Sequence, residues 1–154
     1  MIKNIFNPGY LALLFDNETN FILDGEVNED NSIPSVYNAM TIANYIIEYA
    51  DNKDKPVDNL KLQILLYFCQ IHYLLYNNCK KSLFNECMFS NETGIVVKSV
   101  YNKYKYNGIN PLTKLDVIEV SDSVNDEDSL ILNCIIENYL KYKYDFLLDV
   151  IKKQ

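Results

Sequence analysis

Apolar residues from Val36 onward recur at spacings of three and four. Val36, Met40, Ala43, Ile47 and Ala50 share one stripe of a helical cylinder, which predicts a first helix stopping near the polar run 51–55 and Pro56. A second helix is expected after Asp58 or Asn59, since either side chain can accept the orphan N–H groups of a first turn. Its stripe is Leu60, Ile64, Phe68, Ile71 and Leu75, widened by Leu62, Leu65, Leu66 and Tyr67 and closed by Asn77-Asn78. A helix apolar around so much of its circumference belongs in the centre of a bundle. Residues 83–90 alternate weakly, which suits a short strand, whereas residues 94–107 carry Val96, Val97, Val100, Tyr101 and Tyr104 on a third helix ended by Gly108. Strict alternation over 115–120 predicts another strand. A last helical stretch starts at the acidic residues 122–128, whose carboxylates favour a helix N-terminus, and continues through Leu130, Cys134, Glu137 and Leu140 to Lys152-Lys153. A break near 142–145 would make it two helices.

Ahead of these, residues 10–27 read as extended. An apolar run (10–15) precedes turn chemistry (16–20), and Phe21-Ile22-Leu23 ends at Asp24-Gly25, which suits a type I′ hairpin turn. The run 11–15 equally suits a helical turn, and Pro8 and Pro34 bracket the segment as connectors. The expected fold is therefore mainly α, a compact helical bundle with a small β-hairpin or short antiparallel sheet. Residues 35–154 would form the helical domain, and residues 1–34 an N-terminal extension packed on it as a β-hairpin.

The chain has 154 residues, 49% hydrophobic, which is apolar material for one core. No run of eighteen apolar residues appears and the first thirty lack the order of a secretion signal, so the expectation is a cytoplasmic protein with no membrane partner. All 14 basic residues are lysines, set against 21 acids for a net charge of −7. Without arginine, bidentate phosphate or guanine-edge contacts cannot form, and an acidic chain repels nucleic acid on approach, so no direct nucleic-acid partner is expected. The acids gather at Asp24, Glu26, Glu29 and Asp30 and again at 122–128, both rich in turn formers. These are solvated loops or faces for a basic partner.

Asn59-Leu60-Lys61-Leu62-Gln63-Ile64-Leu65-Leu66-Tyr67-Phe68-Cys69-Gln70, followed by Ile71-His72-Tyr73-Leu74, resembles the Panacea, or SocA-like, antitoxin domain, which is also met in phage-associated proteins. Residues 39–47 are similar to that family's preceding helix, with Ala43, Tyr45 and Ile46 in place. Residues 94–101 resemble a third family stretch, with Thr93, Ile95 and Lys98 where a tyrosine and two prolines normally stand. The likeness covers roughly residues 38–112 and, more weakly, the C-terminal helices; the family's usual threonine-histidine and proline-tryptophan tail has no counterpart before Gln154. The resemblance implies a mostly helical domain with a small β element that neutralises a toxin by binding it.

Candidate chemistry is sparse. Cys69, Cys79, Cys87 and Cys134 have no paired zinc-ligand spacing, and there is one histidine, so neither a metal nor a cofactor is expected. Cys69 and His72, three apart on one helix, are the nearest approach to a nucleophile and base, yet nothing marks an orienting third group or an oxyanion hole. Gly9, Gly25, Gly94 and Gly108 are isolated and cradle no phosphate. The informative excess is tyrosine, 13 residues. Tyr101, Tyr104 and Tyr106 interleave with Lys103 and Lys105, and Tyr139, Tyr142 and Tyr144 with Lys141 and Lys143. Such surfaces are adhesive, because tyrosine buries a large area with few rotors; the alternative is that Tyr101, Tyr104 and Tyr139 point into the core.

These readings converge on a non-catalytic binding protein, not an enzyme, that neutralises a toxin by direct occlusion. The alternative is a phage or mobile-element inhibitor of a bacterial defence nuclease, with acidic loops filling its nucleic-acid channel. The partner-contact candidates are Tyr101, Tyr104, Lys105, Tyr106, Asp24, Glu26, Glu29 and Asp30, and a homodimer stays open.

Overall fold

The computed structural model describes residues 33–91 and 94–152. They form β1 (Ser35–Tyr37), α1 (Ala39–Asn52), α2 (Asn59–Tyr76), β2 (Ser82–Phe84), β3 (Met88–Asn91), β4 (Gly94–Val97), α3 (Lys98–Tyr104), α4 (Asp126–Leu140) and α5 (Tyr144–Lys152), so the fold is mainly α with a minor β component. The expected hairpin at 10–27, the packing of the 1–34 extension and the acidic segment 24–30 lie outside the described residues.

α2 is the central element that its apolar circumference predicts. Every residue from 62 to 74 is buried, and α1, α4, α5, β2 and β4 all pack on it. Each leucine, isoleucine or phenylalanine buried there stabilises by about 1.5–3 kcal/mol relative to exposure. The helix starts where Asp58 Oδ1 accepts the Lys61 N–H at 2.9 Å. It stops at Asn77, after which Asn78 and Cys79 take positive φ of 55° and 62°.

Two small sheets flank this helix. β1 and β2 pair in parallel, with Ser35 opposite Ser82 and Tyr37 opposite Phe84. β3 and β4 form an antiparallel hairpin, with Met88 opposite Val97 and Asn91 opposite Gly94. Gly94 has φ 135° and lies so close to the Tyr144 hydroxyl that a Cβ would overlap it, so both the backbone and the space require glycine.

Three boundaries differ from the sequence pattern. Val36 belongs to β1, and α1 begins at Ala39; Ile42 and Ile46 lie on its buried face, while Met40 is only half-buried. Residues 94–97 are strand rather than helix, because the run Ile95-Val96-Val97 pairs with β3 and is buried along its length, leaving α3 with 98–104 and a 3₁₀ turn over 105–107. Residues 115–120 form no strand. A 3₁₀ turn covers 114–116, and the backbone of Ile118 is then paired by one side chain: Asn44 Nδ2 donates to its carbonyl at 2.7 Å and Asn44 Oδ1 accepts its N–H at 3.3 Å. The break expected near 142–145 falls at 141–143, so the last helical stretch is two helices. No helix among the described residues is long and apolar enough to cross a membrane.

Candidate partner-binding surface

The polar residues of the segment that carries the family resemblance are joints of the fold. Asn59, Gln63 and Gln70 lie four and seven residues apart, on one face of α2. Asn59 Nδ2 donates to the Tyr101 carbonyl at 3.1 Å, and Gln63 Nε2 donates to Asn59 Oδ1 at 2.9 Å. Gln63 Oε1 accepts the Val97 N–H at 2.8 Å. Gln70 Nε2 donates to the Phe84 carbonyl at 2.5 Å while its Oε1 accepts the Leu83 N–H at 2.7 Å. Lys61, half-buried, donates to the carbonyls of Leu140, at the C-terminus of α4, at 2.9 Å, and of Tyr142 just beyond it; its own pKa is lowered by burial. These side chains fasten α3, β4, β2 and the end of α4 to α2.

Cys69 and His72 are core as well. Cys69 is fully buried, and burial pushes its thiol well above the ordinary cysteine range. His72 is buried, its pKa lowered by burial to about 4, and its Nε2 shares a 2.7 Å hydrogen bond with the Tyr139 hydroxyl. The Tyr139 ring stacks on Phe68 at 3.9 Å between centroids. Burial thus favours the protonated thiol, and the imidazole three residues along the helix is engaged by the Tyr139 hydroxyl.

The tyrosines divide sharply. Tyr104, a contact candidate by sequence, is 2% exposed and donates its hydroxyl to the Asp116 carbonyl at 2.8 Å, so as a surface contact it is corrected to an internal strut. Tyr101 is half-buried. Tyr139 is core, while Tyr142, stacked on Phe146 at 4.9 Å, and Tyr144, beside Gly94, are half-buried, so the tyrosines of the second stretch pack inward and its Lys141 and Lys143 stay exposed. Tyr106 is the outward member of the first stretch, 89% exposed, with the Lys105 ammonium 5.2 Å from its ring centroid.

Tyr106 opens a loop, residues 105–116, that is pinned from beneath. The Tyr104–Asp116 hydrogen bond ties its two ends together. Leu112, fully buried, donates its N–H to the Val57 carbonyl at 2.8 Å, and the Lys114 N–H donates to Asp51 Oδ2 at 2.9 Å. Thr113 and Asp116 form a capping box around the 3₁₀ turn. Held this way, the same loop that exposes Tyr106 presents Ile109 at 84% exposure and Leu115 at 95%. Ile109 and Leu115 were not among the candidates from sequence. For Ile109 the signal is that it is an isolated apolar residue in a Gly- and Pro-containing stretch with no periodicity, whereas Leu115 opens the alternating run 115–120, which pointed to a strand instead.

The acidic run 122–128 is partly internal. Asp122 Oδ1 accepts from the Thr41 hydroxyl at 2.5 Å. Asp128 is buried and accepts from Tyr37 at 2.8 Å and Tyr73 at 3.2 Å, while Asp126 and Glu127 face solvent. Burial, aided by this carboxylate, raises the pKa of the Tyr37 hydroxyl to about 12, so it stays a donor. An open groove of about 210 Å³ lies between α1 and residues 117–124, and three of its polar residues, Thr41, Asn44 and Asp122, are already bonded across it. Asp24, Glu26, Glu29 and Asp30 lie outside the described residues. Among the described residues no group of three or more His, Cys, Asp or Glu is placed to hold a metal ion. No family model, curated protein or solved structure matches the chain.

Proposed function

We propose that this chain is a non-catalytic binding protein, antitoxin-like, which neutralises a partner protein by covering part of its surface. The reading is carried by the pinned loop, on which Tyr106, Ile109 and Leu115 stand 84–95% exposed although their neighbours Tyr104 and Leu112 are core. Large apolar side chains held out by a rigid support lose little entropy on docking, which is what a binding hot spot needs. The likeness of residues 59–74 to the Panacea domain points the same way and makes a toxin the expected partner. The defence-nuclease alternative would act through Asp24, Glu26, Glu29 and Asp30, since Asp122 and Asp128 are engaged internally.

The test is co-expression of the chain with the product of its neighbouring gene, scored by growth. Replacing Tyr106, Ile109 and Leu115 together by serine should abolish protection while moving stability by no more than about 0.5 kcal/mol per site. Full protection by this variant, with loss on charge reversal at Asp24, Glu26, Glu29 and Asp30, would transfer the function to the acidic segment.

A further inference from the structure

We infer that the loop's partner is an acidic protein surface, apolar area interspersed with carboxylates; this rests on the binding reading above and adds the chemistry of the other side. The charge along the chain carries the argument. Residues 98–115 contain Lys98, Lys103, Lys105 and Lys114 and no aspartate or glutamate, in a protein whose net charge is −7. All four lysines are exposed, and they fall on the same α3-to-loop segment as the exposed apolar side chains. Lys98 lies 4.5 Å from the ring centroid of Phe89 in β3, and Lys105 sits over Tyr106, so two of the four cations lie against exposed aromatic rings.

The acids tied to this segment, Asp116 and Asp51, keep their charge and reduce this field, but four lysines outnumber them and leave it positive. Asp116 is tied to Thr113 within the capping box, and Asp51, half-buried, accepts the Lys114 N–H at the loop's base. The result is one segment that carries exposed lysines and exposed apolar side chains on a molecule that is otherwise negative, and its complement is apolar surface interspersed with carboxylates. Any acidic partner is repelled by the rest of the chain and attracted at this segment, which fixes the docking orientation as well as the affinity. A protein fits better than a nucleic acid. Ile109 and Leu115 offer aliphatic surface that cannot stack on bases, and Tyr106 is the loop's one exposed ring.

The experiment uses the full chain as bait in a lysate of its native host, followed by identification, purification and affinity measurement of the retained protein at low and high salt. The Lys103→Glu, Lys105→Glu, Lys114→Glu variant should bind that protein at least roughly tenfold more weakly, mainly through slower association. The corresponding lysine-to-arginine variant should bind like the wild type, and added salt should weaken the wild-type complex. Circular dichroism of each variant establishes that it is folded. Undiminished binding by the charge-reversed variant, with binding lost in the Tyr106, Ile109, Leu115 serine variant, would sink the acidic partner and leave occlusion standing. Retention of a single-stranded or duplex oligonucleotide by the same lysines would overturn the inference. So would a dimer in sedimentation that the serine variant dissolves, because the occupant would then be a second copy. If the wild type retains nothing specifically, both readings fall.

Discussion

Gln70 sits in the middle of an apolar helix with both ends of its amide bonded to the backbone of β2. Water cannot replace those bonds, since Gln70, Leu83 and Phe84 are all fully buried. Gln70→Leu keeps the volume but leaves the Leu83 N–H without its partner, at a cost of about 1–3 kcal/mol before relaxation, and leaves the Phe84 carbonyl only the longer bond from the Ser82 hydroxyl at 3.2 Å. Urea denaturation should therefore show a loss of about 1–3 kcal/mol, and a loss under about 0.5 kcal/mol would mean that β2 finds other partners. The same arithmetic explains which residues could be read in advance. Asp58 was legible as an N-cap because the N–H it accepts is three residues away. The backbone partners of Gln63 and Gln70 were not, because they are 34 and 13–14 residues distant and come within reach only once the chain has folded.

At the scale of elements, the helix starts show the same division. α4 begins with its own cap, Asn125 Oδ1 accepting the Asp128 N–H at 2.8 Å. α1 has no such side chain at Asn38; the Ala39 N–H donates instead to Glu86 Oε2 at 3.1 Å, a carboxylate supplied by the connection between β2 and β3. A negative group at a helix N-terminus satisfies an orphan donor and complements the helix dipole. Glu86→Ala should accordingly cost about 0.5–2 kcal/mol, with faster amide exchange confined to the first turn of α1; unchanged exchange there would show that the cap is not used in solution. Helical and strand periods compete where apolar residues are dense. Ile95-Val96-Val97 fits a helix by spacing, and β-branching with burial on both faces decides for a strand. At 115–120 the alternation is genuine, but Leu115 faces solvent and Asn44 takes the place of a neighbouring strand. The central helix was the most legible element, since its apolar circumference permits one location only.

For the molecule as a whole, the interior brings one weak base into an apolar setting, and that makes stability depend on pH. His72 lies against Phe68 and the hydroxyl of Tyr139, on the buried face where α4 meets α2. Burial lowers its folded pKa to about 4, against an ordinary value of 6.5. Above pH 6.5 neither folded nor unfolded chain binds the proton, so the core has its full stability. Between 6.5 and 4 the unfolded chain takes up the proton and the folded chain does not, so stability falls as the pH falls; below 4 both are protonated and this contribution stops changing. The gap corresponds to about 3 kcal/mol, a large fraction of the stability of a domain this size. His72→Phe keeps an aromatic ring and removes the titration. Urea midpoints for the two proteins, taken between pH 7 and pH 4, should therefore converge or cross as the pH drops, with the wild type losing more. Parallel profiles would mean that the imidazole is already hydrated or already charged in the folded chain, and that α2 and α4 meet less tightly around it than a 3.9 Å stack of Phe68 on Tyr139 requires.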